Sequence, residues 1–299
     1  MIVILGASGH TGRVAATNLL ASGQQIRAVG RNAQHLQPLA AKGAQIATAD
    51  VTDIAALVDV LQGADSAYVM VPPNPGAEDP LDYAERVTDA ITAAIRAARV
   101  PYVVALSSIG ADKPSGTGPV VELHNLEQKL NAVDGLNALC LRAGYFMENT
   151  LPQVSVIRSF GNLMGPINPS LKLSMIATRD IGAAAADALL RRDFRGKLTH
   201  ELQGQRDLSY TEMASIIGKA IGQPSLGYVQ APDEQLRPAF QQMGMSPALA
   251  ALLLEMAHAM NSGHMKALEP RSMTNTTPTS FETFVNEVFV PAYRQQKAA

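Results

Sequence analysis

The sequence predicts an α/β fold with a doubly wound parallel sheet and a smaller, mostly helical C-terminal cap. Three observations support this fold class. Short apolar runs alternate with Ala-rich helical patterns through the first half of the chain, which is typical of βαβ units and of a parallel sheet covered on both faces. A glycine-rich turn at 6–12 joins the first apolar run to the first helical pattern. After residue 151 the alternation gives way to segments punctuated by Gly and Pro, and then to further helical patterns.

Six apolar runs predict the strands of the sheet. Each is four to six residues long and rich in Val, Ile, Leu or Ala, as expected for strands buried on both faces. In chain order they are Ile2–Leu5, Gln25–Val29, Gln45–Thr48, Ser66–Val71, Tyr102–Leu106 and Asn137–Leu141.

Helical patterns lie between these runs, and glycines that follow three of them mark their ends, because glycine adopts the left-handed conformation at little cost. In the first half the predicted helices are Arg13–Ser22, Ala33–Lys42, Asp53–Gln62, Leu81–Arg99 and Val121–Val133. In the second half they are Ile181–Arg191 with Asp180 as its cap, Ser209–Ile221, a helix in the Met-, Leu- and Ala-rich stretch Met243–Met265 with Pro247 in its first turn, and Ser280–Tyr293.

Composition excludes several classes of protein. With 24 Lys+Arg against 26 Asp+Glu the net charge is −2, so no basic surplus is available for direct binding to nucleic acid. A single Cys excludes a disulfide framework, and the His and Cys spacings predict no metal site. The mean hydropathy of +0.05 predicts no membrane span. The apolar N-terminus lacks the basic residues of a signal peptide, so a cytoplasmic protein is expected.

Gly6, Gly9 and Gly12 join the first predicted strand to the first predicted helix. Such a turn suits phosphates, because backbone N–H groups and the helix dipole both point at the anion. The first glycine allows the tight turn, the second the close approach of a pyrophosphate, and the third the packing of helix on strand. Their position in a βαβ unit favours a Rossmann-type dinucleotide site over a purely structural turn.

The end of the second strand distinguishes the two nicotinamide cofactors. NAD-selective sites place Asp or Glu there, whereas this chain has Arg31 followed by Asn32. A carboxylate would repel a 2′-phosphate and an arginine can grip it, so NADP(H) is favoured over NAD(H). Two alternatives stay open: Arg31 as a solvated loop residue, and Asp50, after the third strand, as either an adenine contact or a turn residue.

Ligands of open α/β sheets lie outside the carboxyl ends of the strands. The ends of the later strands therefore border the expected reaction space: Val71-Pro72, Ser107-Ser108 and the segment 142–146. Cys140 is expected to be a buried strand residue rather than a nucleophile. We expect residues 1–150, rejoined by 177–202, to form the NAD(P)-binding domain, and residues 151–299 to form the cap that shapes the substrate pocket.

The chain resembles the NmrA-like branch of the atypical short-chain dehydrogenases/reductases. The resemblance rests on the glycine turn at 6–12, on 29–32 (VGRN), 106–110 (LSSIG), 124–130 (HNLEQKL), 141–149 (LRAGYFMEN) and 178–182 (TRDIG). That branch includes bacterial NAD(P)H:quinone oxidoreductases and NADP-sensing regulators.

The resemblance also implies a set of cofactor-binding residues. Those that would hold the adenine-side ribose and the phosphates are Gly6, Ser8, Gly9, His10, Thr11, Gly12 and Arg31. Those that would lie near the nicotinamide are Val71, Pro72, Ser107, Tyr145 and Phe146. Family members often have Arg-Pro-Gly where this chain has Arg142-Ala143-Gly144, which removes a rigid turn just before Tyr145.

The helix predicted at Val121–Val133 contains no tyrosine. It therefore lacks the Tyr-x-x-x-Lys pair by which typical short-chain dehydrogenases exchange a proton with an alcohol. His124 is the candidate substitute, since a histidine titrates near neutrality; the alternative is a surface histidine paired with Glu127. Lys129 is expected to be solvated rather than catalytic. Tyr145 is the second candidate catalytic residue.

Quinone reduction does not need that pair, because the cofactor supplies the hydride and water can supply the proton. The sequence therefore predicts an NADPH-dependent oxidoreductase that transfers hydride to a quinone or similar small acceptor in an apolar pocket. The alternative is a non-catalytic NADP(H)-binding redox sensor that acts through a protein partner. A reductase of a specific metabolite is a third hypothesis. The Met-rich stretch 248–260 suits either a core or the interface of a homodimer.

Overall fold

The computed structural model describes residues 1–295. Its strands are β1 (Ile2–Leu5), β2 (Ile26–Gly30), β3 (Gln45–Thr48), β4 (Ser66–Val69), β5 (Tyr102–Ser108), β6 (Asn137–Ala143), β7 (Tyr145–Phe146), β8 (Leu163–Gly165), β9 (Leu173–Ile176), β10 (Lys197–Leu202), β11 (Asp207–Leu208) and β12 (Tyr228–Gln230). Seven of them form one parallel sheet in the order β10-β6-β5-β4-β1-β2-β3. The chain order reverses between β1 and β4, which is where a doubly wound sheet opens its ligand crevice.

The helices flank this sheet and build most of the second half. They are α1 (His10–Ala21), α2 (Gln37–Ala40), α3 (Ile54–Leu61), α4 (Pro80–Ala98), α5 (Val121–Asn131), α6 (Gln153–Phe160), α7 (Thr178–Arg191), α8 (Tyr210–Ile221), α9 (Asp233–Gln242), α10 (Pro247–Asn261), α11 (Phe281–Phe284) and α12 (Val290–Gln295). A π-helical segment, Val285–Phe289, connects α11 to α12. Within residues 1–295, no helix combines the length and the apolar character needed to cross a membrane.

The parallel sheet with helices on both faces confirms the predicted fold class, and some element ends differ from prediction. β4 ends at Val69, so Val71 lies in the loop beyond it. The helix predicted at Ala33–Lys42 is divided into a 3₁₀ turn, Ala33–Leu36, and the short α2. Pro38 lies in the first turn of α2, where its missing N–H and fixed φ favour a new helix start.

One prediction in the second half was also wrong in detail. Ala177, not Asp180, precedes α7; Asp180 lies in the first turn and accepts hydrogen bonds from the Thr279 backbone N–H (3.0 Å) and hydroxyl (2.7 Å). In the segment 243–265, α10 has Pro247 in its first turn, as predicted; the Ser246 side chain caps it by accepting from the Leu249 N–H.

Two apolar layers hold the helices on the sheet. α3, α4 and α5 pack on one face, and α1 and α7 pack on the other. The second pair is closest at Gly182, where an added Cβ would lie 2.6 Å from the Thr11 carbonyl oxygen. This close contact with α7 holds α1, the helix that follows the glycine turn, in place.

The second half has an apolar core of its own, built around buried residues of α6, β9, α8 and α11. Two small sheets, β11-β9-β7 and β12-β8, accompany its helices. These strands have two to four residues each, too few for a period-of-two pattern to emerge from the sequence. α7 and β10 return to the central sheet, where β10 pairs with β6 along its whole length.

Candidate active site

The glycine turn between β1 and α1 requires its glycines for steric reasons. Gly6 has φ +67°, and an added Cβ would lie 3.0 Å from the Met70 sulfur. At Gly12 an added Cβ would lie 2.5 Å from the Gly6 carbonyl oxygen. A side chain at Gly12 would therefore push α1 away from the turn, and one at Gly6 would strain the left-handed backbone and crowd Met70.

The N-terminus of α1 forms a cradle open to an anion. Gly9 occupies the cap position, so no side chain accepts from the N–H groups of the first turn. Gly9 and His10 are exposed and Ser8 is half-buried. Thr11 differs from these residues, because its buried hydroxyl pairs with the Tyr68 hydroxyl at 2.8 Å. The Thr11 hydroxyl is therefore engaged within the protein.

Arg31 and Asp50 line a cleft of about 280 Å³ at the carboxyl ends of β2 and β3. Arg31 is exposed, which leaves its guanidinium accessible to a ligand. Asp50 accepts from the Thr52 N–H (2.9 Å) and hydroxyl (2.8 Å). These bonds lower the pKa of Asp50, and the Arg31 charge adds to the effect. Asp50 thus shapes the turn before α3 while also contributing negative charge beside Arg31.

Two side chains near this cleft were not predicted from the sequence. Tyr83, in the first turns of α4, is half-buried close to the charges of Arg31 and Asp50, and burial raises its pKa. Glu122, at the start of α5, is also half-buried, and burial raises its pKa to about 7. Both lie on predicted helices, where a tyrosine or glutamate alone gives no signal of its partner.

Val71 and Pro72 are half-buried in the loop after β4, at the edge where the resemblance puts the nicotinamide. The cap reaches this loop, because the Ser246 backbone N–H donates to the Pro75 carbonyl oxygen at 2.8 Å. The turn between α9 and α10 therefore borders the crevice from above.

Ser107, Glu127 and Arg142 form a buried polar cluster at the ends of β5 and β6. The Ser107 hydroxyl donates to Glu127 Oε1 at 2.6 Å. Arg142 donates from Nε to Glu127 Oε1 (2.9 Å) and from Nη2 to Glu127 Oε2 (2.6 Å). The predicted alternative of a His124–Glu127 pair is therefore wrong, since the carboxylate faces the sheet. Glu127 also gives the Ser107 hydroxyl a partner within the protein, so this hydroxyl is not free to bind a ligand.

His124 instead contacts the loop after β5. Its Nδ1 lies 2.9 Å from the Ala111 carbonyl oxygen. A carbonyl can only accept, so Nδ1 carries the hydrogen and Nε2 of the neutral ring has a lone pair. Within residues 1–295 no protein group is hydrogen-bonded to Nε2. His124 is half-buried, and its free nitrogen remains available for a proton exchange.

Tyr145 and Phe146 form β7, directly after β6, and both are half-buried. The Tyr145 hydroxyl lies 3.0 Å from the Tyr210 hydroxyl. Tyr210 stacks on Tyr228 at 4.4 Å between ring centroids. Burial raises the pKa of Tyr145 and of Tyr210, so these phenols stay protonated and form an aromatic wall of the cap.

The contacts of Lys129 and the burial of Cys140 favour structural rather than catalytic roles. Lys129 forms an ion pair with Asp89 at 2.7 Å and donates to the Thr88 hydroxyl at 2.9 Å, both on α4. Cys140 is buried as predicted, and burial raises its pKa to about 12. A thiol held neutral in this way is a poor nucleophile.

Comparison with known proteins assigns the family. The model of the NmrA-like family matches residues 1–285. The chain belongs to the NmrA-like family. It is 28% identical over 258 residues to quinone oxidoreductase 2 of Escherichia coli (strain K12), a match that covers 85% of this chain and 86% of that protein.

Two further similarities extend over most of the chain. A crystal structure of the NADPH-dependent quinone oxidoreductase 2 of E. coli, complexed with NADPH, has a TM-score of 0.82 and 26% identity, covering 97% of this chain and 100% of that chain. The (4-alkanoyl-5-oxo-2,5-dihydrofuran-3-yl)methyl phosphate reductase of Streptomyces griseus subsp. griseus is 24% identical over 253 residues, covering 85% of this chain and 80% of that protein.

In this NmrA-like protein, two segments that carried the resemblance contact each other. Both Glu148 carboxylate oxygens accept from the Thr178 backbone N–H at 3.1 Å, and one accepts from its hydroxyl at 2.6 Å. Glu148 thereby caps α7 from a distance of 30 residues in sequence, a role that a local capping pattern cannot reveal.

Proposed function

We propose that the protein is an NADPH-dependent oxidoreductase that transfers hydride to a quinone or a similar small acceptor. The observation that carries the proposal is the combination of an uncapped α1 N-terminus with Arg31 at the end of β2. The similarity to quinone oxidoreductase 2 of E. coli, whose crystal structure contains NADPH, supports the same reaction.

The residues present fit a dinucleotide phosphate. No side chain caps the N-terminus of α1, and the first-turn N–H groups of this helix would hold the pyrophosphate. Arg31 would pair with the 2′-phosphate through its planar donors. Val71, Pro72, Tyr145 and Phe146 would border the nicotinamide, to which bound NADPH adds a transferable hydride.

The source of the proton limits which acceptors the protein would reduce. α5 carries no tyrosine, and the Tyr145 phenol is paired with Tyr210, so a strong phenolic acid beside the acceptor is lacking within residues 1–295. A quinone tolerates this, because the hydroquinone anion that forms is stable enough to take its proton from water. His124 would deliver a proton from Nε2 only in its doubly protonated form, since Nδ1–H is engaged by Ala111.

The test is NADPH oxidation followed at the nicotinamide absorbance with a panel of benzoquinones and naphthoquinones. We expect NADPH to be consumed with one quinone or more, and NADH to be consumed more slowly. Oxidation no faster than in the protein-free control, with every acceptor, would reject the proposal.

A redox sensor remains the second candidate. The same lack of a tyrosine on α5 favours it, because a sensor needs a dinucleotide site without a catalytic acid. A sensor must bind NADP⁺ and NADPH with different affinities in order to shift between two states. Equal dissociation constants for the two forms, measured by calorimetry, would exclude it.

A further inference from the structure

The buried cluster of Ser107, Glu127 and Arg142 is unusual in its position. Ser107 and Arg142 are register partners on neighbouring strands, one residue before the ends of β5 and β6. Glu127 and Ser107 are each 2% exposed, and the Arg142 side chain is 13% exposed. A full ion pair is thus enclosed at the edge of the sheet that faces the crevice.

The alternation of the strands explains how the cluster arises. On β5 and β6 the side chains that face α5 are apolar until the last position: Val103 and Ala105 precede Ser107, and Ala138 and Cys140 precede Arg142. Leu126 and Leu130 of α5 pack on this apolar layer. Glu127 of α5 contacts Ser107 and Arg142 where this apolar layer ends. These contacts link α5 to the ends of β5 and β6.

One candidate catalytic residue lies on α5 and the other lies in β7, just after the end of β6. His124 lies three residues before Glu127 on α5, and Tyr145 lies three residues after Arg142 beyond the end of β6. The two bonds between the guanidinium and the carboxylate constrain orientation as well as distance. Movement of α5 relative to β6 would therefore break the pair and displace His124 from Ala111.

We propose that Glu127 and Arg142 are positioning residues, whose buried bidentate pair holds α5 against the ends of β5 and β6 and so fixes His124 and Tyr145 relative to the bound nicotinamide. This inference rests on the proposed oxidoreductase function. Stability alone is a weak reason for the pair, because apolar residues of similar volume commonly replace a buried ion pair without loss of stability. A geometric role accounts for its place beside the crevice.

The experiment replaces both partners at once, in the variant Glu127→Met/Arg142→Met, which leaves no buried charge unpaired. The matched control is Asp187→Met/Arg191→Met, which removes an exposed ion pair of α7. The measurements are the thermal midpoint, the dissociation constant of NADPH, kcat and KM with the best quinone, and the ¹⁵N spectrum of the His124 ring, assigned with His124→Asn.

We expect the buried double variant to keep its thermal midpoint within about 5 °C and its NADPH dissociation constant within about threefold. Its kcat should fall about tenfold or more, because small displacements of reacting groups are costly. The His124 spectrum should change from a single Nδ1–H form to a mixture of tautomers. The surface control should match the wild type in every measurement.

A folded double variant with wild-type kcat and an unchanged His124 spectrum would overturn the proposal. If that variant does not fold, Arg142→Lys decides, because lysine keeps the charge but cannot form the two-donor contact; a wild-type spectrum and kcat in Arg142→Lys would overturn the proposal equally. Absence of quinone turnover in the wild type would refute the oxidoreductase function instead, and the His124 spectrum would then decide the positioning role by itself.

Discussion

At the residue scale, hydrogen-bond partners decide which candidate side chains are free to act. The Ser107 hydroxyl donates to Glu127, and His124 Nδ1 is paired with the Ala111 carbonyl oxygen. Within residues 1–295, His124 Nε2 has no hydrogen-bond partner, and the Arg31 guanidinium is exposed. The chemistry expected of the site therefore depends on a few groups at the carboxyl ends of the strands.

Arg31→Ala tests the preference for the 2′-phosphate. We expect the dissociation constant of NADPH to rise about tenfold, because a charge-assisted pair with the phosphate is lost. The NADH constant should change less than about twofold, since NADH lacks that phosphate. Fluorescence titration with both cofactors measures this, and Arg96→Ala, on the exposed last turn of α4, is the control. An equal loss for both cofactors would contradict the assignment.

Glu122→Gln tests the burial of the carboxyl at the start of α5. Burial raises the pKa of Glu122 in the folded state to about 7 from its ordinary value of 4.5, so the folded state retains a proton that the unfolded state releases between those two values. The wild type should therefore lose stability as pH rises from 4.5 to 7. The neutral glutamine removes this loss, so we expect the variant to gain about 1 kcal/mol at pH 8 and little at pH 4.

Thermal melts of Glu122→Gln and the wild type across this pH range provide the comparison. Parallel curves, with the same difference at pH 4 and pH 8, would show that the carboxyl does not titrate as described.

Sequence reasoning named the candidate residues of the site but not their partners. The glycine turn, Arg31 and the strand ends are proposed from local patterns. The contacts of Glu127 with Arg142 and Ser107 join residues 15 and 20 positions apart, and the Tyr145–Tyr210 pair joins residues 65 apart. Such pairings depend on tertiary packing, which a periodic pattern does not encode.

At the element scale, the ends of helices and strands show the same limit. The patterns of β1 and β3 predicted their bounds correctly. α7 begins earlier than its pattern indicates, because Glu148 satisfies its first N–H from outside the helix. Short strands of the cap pair with distant segments and leave no local signal.

Glu148→Ala tests this long-range cap. We expect a loss of about 1–2 kcal/mol in the free energy of unfolding, because the Thr178 N–H loses its acceptor and the negative charge at the helix N-terminus is removed. Glu148→Gln keeps one acceptor oxygen and should lose about half as much. Urea unfolding measures both, and Glu234→Ala, an exposed acid in the first turn of α9, is the control. Equal stability of Glu148→Ala and the control would disprove the capping role.

At the scale of the whole molecule, we expect the cofactor and the acceptor to contact different parts of the chain. The sheet and its flanking helices carry the glycine turn, Arg31 and His124, whereas the turn at Ser246 reaches the loop after β4 from the second half of the chain. The sheet is typical of many dinucleotide-binding proteins. Acceptor choice is therefore expected to depend on the cap, whose sequence patterns are the least specific.

We infer that this protein transfers hydride from NADPH to a quinone. A single-turnover stopped-flow experiment measures this step, when the protein saturated with NADPH is mixed with one equivalent of a quinone. We expect loss of one equivalent of nicotinamide absorbance, and a slower loss when the transferred hydrogen is deuterium. Tight NADPH binding without any oxidation above the protein-free rate, for every quinone tried, would contradict it.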